Sequence, residues 1–334
     1  MAISFGSHLG RQADFSVEDA VNSTPSSFAW KTIREKRWCY IGIVSDECIS
    51  GTALVHLGYA ANAFSFVYDR IENRMIEKGF VISPFSGLEF ERDPDNGSCH
   101  MQSKGSRIDM LNQVKIGNRQ LNLNIEKGKS RQILGEIEIE EHADSIPLQL
   151  LTPMSNKGEK ANKVFTQKIG GLKVKGFIET QHKRFSFNEQ NAFALFDWTN
   201  GFHNRVTRWN WACAGGFSEC GKRIGINFSK DVYTFGYGEN VIWIDEKPIL
   251  LGDMEFEYDA ENPLNPWKIY NKEKTVELNF YPEAKRQAKE DFIFAASSFI
   301  QACGSYSGFI TDANGEKIQL RQLGGVVEEH YAKW

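Results

Sequence analysis

The chain has 334 residues, of which 41% are hydrophobic and 25% are charged, and its formal net charge at pH 7 is -4. This composition excludes a largely disordered chain, and the charge argues against nucleic acid as a partner, because binding to phosphates requires a basic face. The length suits two domains of ordinary size or one large β domain.

Several motifs that would identify an enzyme class are missing. The phosphate-binding patterns GxGxxG and GxxxxGK followed by Ser or Thr do not occur, and neither does the GxSxG motif of α/β-hydrolases. The six cysteines form no CxxC pair, and no two Cys or His residues stand at zinc-ligand spacing. We therefore expect reduced thiols, no metal and no cofactor.

The sequence also shows no sign of membrane insertion or secretion. No apolar run approaches the length that crosses a bilayer, so no transmembrane segment is expected. The N-terminus, MAISFGSHLGRQADF, lacks the basic start and apolar core of a signal peptide, which indicates a cytoplasmic location.

The first half of the chain predicts an arm followed by antiparallel strands. Residues 1–29 are polar and predict an N-terminal arm, with one or two helical turns at residues 16–22. Aromatic, β-branched and alternating patterns then predict strands at residues 37–45, 48–57, 61–68, 107–116, 120–126 and 132–141. In the last strand Ile137 and Ile139 share one face and glutamates occupy the other, which is typical of an antiparallel sheet with one dry face.

A polar, turn-rich stretch at residues 151–160 is the best candidate for a linker, and it divides the body into predicted domains 30–150 and 151–334. Beyond it, Gly170-Gly171 predicts a tight turn between two strands. Residues 282–291 have a helical composition, with a charged loop as the alternative. Many short strands with almost no helix indicate an all-β fold, built as a barrel or a sandwich.

Three of the eight tryptophans lie in the stretch AFALFDWTNGFHNRVTRWNWACAGG, residues 192–216. It predicts a hairpin with strands at residues 193–198 and 206–213. Alternation along the second strand places four side chains on one face: Arg205, Thr207, Trp209 and Trp211. This face suits the interior of a barrel, because the rings supply contact area and the guanidinium orients a ligand.

Asp197 is the leading candidate for a catalytic group, and it is expected to pair with Arg205 or Arg208. The alternative is an Asp–Arg pair that only closes one end of a barrel. His203 is either an exposed loop residue or a general acid or base oriented by Asp197.

Other side chains are candidates for ligand contact. His330 lies either on the polar edge of a final strand or inside the second barrel, beside Glu328. The predicted ligand-binding residues are Trp198, Arg208, Trp209, Trp211, Asn227, Glu239 and His330.

Blocks spread from about residue 30 to residue 334 resemble the domain-of-unknown-function 2804 family, and DWTNGFHNRVTRWNWA and GGVVEEHYAKW are the most specific of them. The other blocks include LVHLGYAANAFSFVYDR, FTQKIGGLKVKGFIE and VELNFYPEAKR. More distantly, the layout resembles two-domain lipocalin-like proteins of the carotenoid hydratase and AttH type. That resemblance implies two antiparallel β-barrels or strongly curled sheets in tandem, with very little helix. No motif aligns with the catalytic residues of those enzymes.

Three functions remain open. The first is binding of a hydrophobic, lipid- or isoprenoid-like small molecule in an aromatic-lined barrel cavity. The second is a cofactor-independent hydratase, cyclase or isomerase in which Asp197 acts as a buried carboxylic acid, Arg205 steers the substrate and the tryptophans stabilise a developing cation. The third is a structural or interaction protein whose barrels are filled by side chains.

Overall fold

The structure, a computed structural model, describes residues 5–12, 17–18, 28–83, 86–128, 130–157, 161–233, 236–291 and 295–334. Helix makes up 3% of it. The described helical elements longer than two residues are α1 (Phe28–Arg34) and one 3₁₀ turn (Val114–Ile116). The predicted helical turn at residues 16–22 lies outside the described residues, apart from residues 17–18.

The first sheet has 14 strands, and every strand pair in it is antiparallel. In chain order these strands are β1 (Gly6–Leu9), β2 (Lys36–Ser45), β3 (Cys48–His56), β4 (Ala61–Asp69), β5 (Arg74–Ile82), β6 (Leu88–Phe90), β7 (Ser98–Ser103), β8 (Ser106–Gln113), β9 (Asn118–Lys127), β10 (Ser130–Glu140), β11 (Leu148–Pro153), β12 (Lys163–Thr180), β13 (Arg184–Phe187) and β14 (Ala192–Gly201). The spatial order of the main path is β5-β4-β3-β2-β14-β12-β10-β9-β8-β7-β6.

The second sheet has nine antiparallel strands. They are β15 (Val206–Phe217), β16 (Arg223–Lys230), β17 (Val241–Ile244), β18 (Lys247–Leu250), β19 (Met254–Glu257), β20 (Trp267–Asn271), β21 (Val276–Asp291), β22 (Ala296–Thr311) and β23 (Lys317–Lys333). Their spatial order is β18-β17-β16-β15-β23-β22-β21-β20-β19. One of the two sheets is a nearly closed barrel and the other is curled into a half-barrel, which confirms the predicted fold class.

The chain changes sheets between Gly201 and Val206, not at residue 151 where the sequence placed the domain boundary. The polar stretch at residues 151–160 connects β11 to β12, which pair with each other within the first sheet. A turn-rich composition therefore marked a hairpin connection here, because long hairpin loops and linkers share the same residue types.

The predicted hairpin turn at Gly170-Gly171 is wrong. Both residues lie inside the single strand β12, where the pairing with β14 shifts register between Gly170 and Leu172. Gly171 has φ +73, and a Cβ atom on Gly225 of the second sheet would meet the carbonyl carbon of Gly170 at 2.2 Å. The glycines form a bulge that lets the two sheets touch backbone to backbone.

Two further predictions are corrected. Strands β14 and β15 do not form a hairpin, because β14 pairs with β2 and β12, whereas β15 pairs with β16 and β23. Residues 282–291 form the second half of strand β21, not a helix or a loop. Their partners along β22 supply a hydrogen-bonded ladder, which overrides a helical composition that rests on weak intrinsic preferences.

Three clusters of buried residues hold the molecule together. One fills the first sheet, one fills the second, and the third lies between the sheets. Strand β2 contributes to two of them, because Ile41 and Ile43 face the first core while Tyr40 and Val44 face the second sheet. Its two faces are both buried, which explains why this strand reads as an unbroken apolar run.

Candidate functional site

A cavity of about 920 Å³ lies between the two sheets. Strands β2, β3 and β4 form its first wall, and strands β15, β22 and β23 form the opposite wall. Its apolar surface comes mainly from aromatic side chains, among them Trp38, Tyr40, Phe64, Trp209, Trp211 and Phe299. The interior of each sheet is packed with side chains, so the open volume lies outside both barrels.

Trp209 and Trp211 line this cavity, but from the outer face of the second sheet. Ala212 and Ala214 of the same strand point inward to the second core, whereas Trp211 belongs to the cluster between the sheets. The Trp211 ring meets Tyr40 of the first sheet edge-on at a centroid distance of 5.5 Å. The prediction that the tryptophans line the interior of the second barrel is therefore corrected, although they do share one face.

Asp197 and Trp198 point to opposite sides of strand β14. Asp197 reaches the cavity, and Trp198, with 0% of its surface exposed, packs in the first core against Phe90 and Phe165. The period-two alternation of a strand requires this separation. Trp198 therefore makes no contact with the cavity, contrary to the prediction that it binds a ligand.

The carboxylate of Asp197 forms an ion pair with Lys168, which lies directly opposite it on strand β12. Trp38 Nε1 donates a hydrogen bond of 3.2 Å to Asp197 Oδ1. Lys168 Nζ also lies 3.5 Å from Glu239 Oε2, which accepts a hydrogen bond of 2.9 Å from Tyr233 Oη. The expected pairing of Asp197 with Arg205 or Arg208 is wrong, because Lys168 holds that position.

The two carboxyl groups and the single ammonium group share one site, and the pKa values of Lys168 and Glu239 shift upward there. Burial lowers the pKa of Lys168, but the charges of Asp197 and Glu239 outweigh it and raise the pKa overall. Burial raises the pKa of Glu239, and the neighbouring charge of Asp197 adds to the rise although Lys168 opposes it. A raised pKa is what a carboxyl group needs in order to act as a proton donor, and Glu239 meets that requirement.

The opposite wall carries a second polar cluster, in which Glu328 and His330 alternate along strand β23. His330 Nδ1 lies 3.3 Å from Glu328 Oε1, and its ring packs against Trp209 at a centroid distance of 4.1 Å. Trp209 Nε1 donates a hydrogen bond of 3.0 Å to the same carboxylate oxygen. His330 lies neither on an exposed edge nor inside the second barrel: it faces the cavity between the sheets, with Glu328 beside it.

His203 is buried beside the cavity rather than exposed in a turn. Its ring stacks on Trp38 at a centroid distance of 5.0 Å, and neither ring nitrogen has a hydrogen-bond partner among the described residues. Burial lowers the pKa of His203 to about 3, and the positive charges of Lys36 and Lys168 add to this effect. No hydrogen bond links it to Asp197, so the predicted acid–base pair does not form.

The two candidate arginines lie away from the cavity. Arg205 and Arg208 are both exposed, and the guanidinium carbon of Arg208 lies 5.0 Å from the centroid of the Tyr331 ring. The predicted steering role of Arg205 has no support in this arrangement.

Asn227 is buried behind the wall and acts on the cavity through a neighbour. Its Oδ1 accepts a hydrogen bond of 2.9 Å from Trp211 Nε1, and its Nδ2 donates one of 2.7 Å to the backbone carbonyl of Glu239. Asn227 thus fixes the Trp211 ring and the segment that carries Glu239. Within the described residues, no group of three or more His, Cys, Asp or Glu side chains is placed to hold a metal ion.

A family model described as "Domain of unknown function (DUF2804)" matches residues 15–334. The chain belongs to this family. A search of curated proteins finds no match. Across the described segments of this DUF2804 member, no helix is long and apolar enough to span a bilayer.

Three solved structures are similar to this chain at low sequence identity. Kievitone hydratase from Nectria haematococca is 12% identical, with 99% of this chain and 98% of that chain covered and a TM-score of 0.47. An AttH-type protein from Nitrosomonas europaea is 8% identical, with 96% and 98% covered and a TM-score of 0.50. CghA is 9% identical, with 89% and 88% covered and a TM-score of 0.52. The AttH-type match agrees with the distant resemblance seen in the sequence, and the likenesses to the AttH-type protein and to CghA show the fold alone.

Five of the ten site residues proposed from the sequence line the cavity: Asp197, Trp209, Trp211, Glu239 and His330. The sequence analysis missed Lys168, which is 97% buried and holds the two carboxyl groups together. A lysine between Phe165 and Ile169 in a strand of apolar residues was the available signal. The sequence analysis also missed Ser297, which lines the cavity. The residues around Ser297 form no recognisable motif.

Proposed function

We propose that this protein binds a hydrophobic small molecule in the cavity between its two sheets. The observation that carries the proposal is a cavity of about 920 Å³ whose lining combines aromatic and aliphatic side chains with two separate polar clusters. Pockets for drug-sized ligands have volumes of roughly 300–1,000 Å³ and combine apolar walls with a few placed polar groups. A lipid- or isoprenoid-like molecule with one or two oxygen functions matches this chemistry.

The cavity also argues against the alternative of a structural protein with filled barrels. The interior of each sheet is filled by side chains, whereas the space between the sheets holds an open cavity lined by apolar and aromatic side chains. Large apolar surfaces are costly to leave without a partner, at about 25 cal/mol per Å² of exposed area. A bound apolar ligand removes that cost.

The experiment is a titration with the apolar dye N-phenyl-1-naphthylamine, whose fluorescence rises in a dry pocket. Ala53 lines the cavity from strand β3, so Ala53→Trp adds a ring to that space and is expected to weaken dye binding about tenfold or more. Ala143→Trp makes the same change at an exposed position and should bind dye like the parent protein. Equal binding by the Ala53→Trp and parent proteins would exclude this cavity as the site.

A second candidate function is acid catalysis on the bound molecule, and the raised pKa of Glu239 favours it. A protonated carboxyl group facing an apolar cavity can donate its proton to a double bond or a carbonyl oxygen. The ring faces of Trp209 and Trp211 stabilise a developing positive charge. Burial and the negative charge of Asp197 favour the protonated form of Glu239, against the opposing charge of Lys168.

Infrared spectroscopy tests whether this acid exists. The carbonyl stretch of a protonated carboxyl group should persist in the parent protein at pH values above the ordinary carboxyl pKa of 4.5, should disappear in Glu239→Gln and should persist in Asp197→Asn. If the parent and Glu239→Gln proteins lose the same carbonyl intensity over the same pH range, acid catalysis by Glu239 is excluded while the binding proposal stands.

A further inference from the structure

Ser297, His330 and Glu328 form a hydrogen-bonded chain along one wall of the cavity. His330 Nε2 lies 3.0 Å from Ser297 Oγ, and His330 Nδ1 lies 3.3 Å from Glu328 Oε1. All three side chains line the cavity. Hydroxyl, imidazole and carboxylate stand in the order of a serine-nucleophile triad, which recurs on unrelated folds and is recognised by geometry rather than by sequence position.

The strand register explains why these residues meet although 33 positions separate Ser297 from His330. Phe299 on β22 lies directly opposite His330 on β23. Ser297 precedes Phe299 by two positions and Glu328 precedes His330 by two, so period-two alternation puts all of them on one face. That face is turned to the cavity because Trp209, which also lies opposite His330, lines it.

The protonation state of Glu328 fixes the tautomer of the imidazole. Burial alone would raise the pKa of Glu328, but hydrogen bonds from His330 and Trp209 and the nearby positive charges outweigh burial and lower it. An ionised carboxylate can only accept, so the ring nitrogen that faces it, Nδ1, carries the proton. Nε2 is then left as an acceptor for the hydroxyl of Ser297, which is the arrangement a general base requires.

Packing and hydrogen bonds also restrain the imidazole ring and the carboxylate beside it. Trp209 packs against it at a centroid distance of 4.1 Å and Phe299 at 5.6 Å. Gln301 Nε2 donates a hydrogen bond of 2.8 Å to Glu328 Oε2, on the side away from His330. Both the base and the carboxylate that orients it are thus restrained by packing and by hydrogen bonds, and the serine hydroxyl is presented to the open volume.

We propose that Ser297 is an acyl-accepting nucleophile and that the cavity takes a carboxylic ester of a hydrophobic acid or alcohol. Ser297 Oγ bonds to the ester carbonyl carbon while its proton passes to His330 Nε2. The carbon–oxygen bond to the alcohol then breaks, and the alcohol leaves with that proton. Water attacks the acyl-serine, gives a proton to His330, and releases the carboxylic acid as the proton returns to Ser297. The inference rests on the proposed function only in needing an apolar occupant for the same cavity.

The test uses an alkyl fluorophosphonate, which forms a phosphorus–oxygen bond with activated serines and releases fluoride. The full-length protein is expected to gain one adduct by intact-mass spectrometry, and peptide mapping should place it on Ser297. Ser297→Ala should abolish labelling. Ser298→Ala changes the next residue, which does not line the cavity, and should label like the parent protein.

Two further variants separate an activated serine from an exposed one. His330→Gln is expected to slow labelling by about 100-fold or more, because it removes the base, and Glu328→Gln should slow it by a smaller factor. Binding of N-phenyl-1-naphthylamine reports on the cavity in every variant. Absence of an adduct on Ser297 in a parent protein that binds the dye overturns this inference and leaves the binding proposal intact. An adduct on Ser297 in a parent protein that does not bind the dye supports this inference and overturns the binding proposal. Equal labelling of the His330→Gln and parent proteins overturns this inference.

Discussion

Lys168 and Asp197 lie directly opposite each other on strands β12 and β14, and their ion pair is buried at the edge of the cavity. The ammonium group of Lys168 also faces Glu239, so one cation balances two acids. Burying charged groups is costly unless they are paired. The polar wall of the cavity therefore depends on this ion pair.

Replacing Lys168 with Met should destabilise the protein by about 3–5 kcal/mol, because it leaves the carboxylate of Asp197 buried without its counter-charge. The measurement is urea unfolding at pH 7. The double variant Lys168→Met/Asp197→Asn removes both charges and is expected to recover most of the loss. A single variant that loses less than about 1 kcal/mol would show that the ion pair is not an important source of stability.

The contact between Gly225 and Gly170 should tolerate no side chain. A Cβ atom on Gly225 would lie 2.2 Å from a backbone atom of β12, so Gly225→Ala forces the sheets apart and should cost about 3 kcal/mol or more. Gly79→Ala is the matched control, since nothing lies within 4 Å of its Cβ position and its φ is not positive. Thermal unfolding of the two variants compares them. Similar melting temperatures for both would contradict the close approach.

Burial of His203 should make the protein less stable in acid. Its pKa is about 3 in the folded protein and 6.5 for an ordinary histidine, so between these limits the unfolded state binds more protons than the native state. Stability therefore rises with pH across this window, and it is lost by about 1.4 kcal/mol per pH unit on acidification below pH 6.5. His203→Phe keeps a ring against Trp38 but cannot titrate. The difference in unfolding free energy between parent and variant, measured from pH 7 to pH 4.5, should follow this slope.

The raised pKa of Glu239 should make the protein less stable as the pH rises. Because its folded pKa is raised above the ordinary value of 4.5, the native state binds more protons than the unfolded state between the two values. Its contribution to stability is complete below pH 4.5 and disappears as the pH rises through the folded value. Glu239→Gln lacks this dependence, so its unfolding free energy should decline less than that of the parent protein between pH 5 and pH 8. A parallel decline in both proteins would contradict the raised pKa.

The sequence predicted the strands well where a hydrophobic face was already visible. The predicted strands at 37–45, 48–57 and 61–68 correspond to β2, β3 and β4, and Ile137 and Ile139 are buried on the dry face of β10 as expected. Local composition failed at Gly170-Gly171 and at residues 282–291, because a bulge and a long curled strand depend on partners far along the chain. The absence of nucleic acid as a partner and the cytoplasmic location stay predictions.

The candidate site was found by the types of its residues rather than by their geometry. An acid and several tryptophans in one polar and aromatic stretch drew attention to Asp197, Trp209 and Trp211, and all three line the cavity. The pairing of Asp197 was wrong because its neighbour in space is Lys168, 29 positions earlier and on another strand of the first sheet. No pattern within a single stretch can identify a partner that only strand pairing brings close.

The sequence by itself determined the alternation of side chains along each strand, since a strand has a fixed period of two. That alternation separates Asp197 from Trp198 and keeps Trp209 with Trp211 wherever their strands lie. Only the tertiary structure decided which of the two faces of strands β14 and β15 meets a core and which meets the cavity. The reason is that both faces of β14, and both faces of β15 from Trp211 to Gly216, are buried. Hydrophobicity alone therefore cannot distinguish the two faces, and the packing of one sheet against the other decides between them.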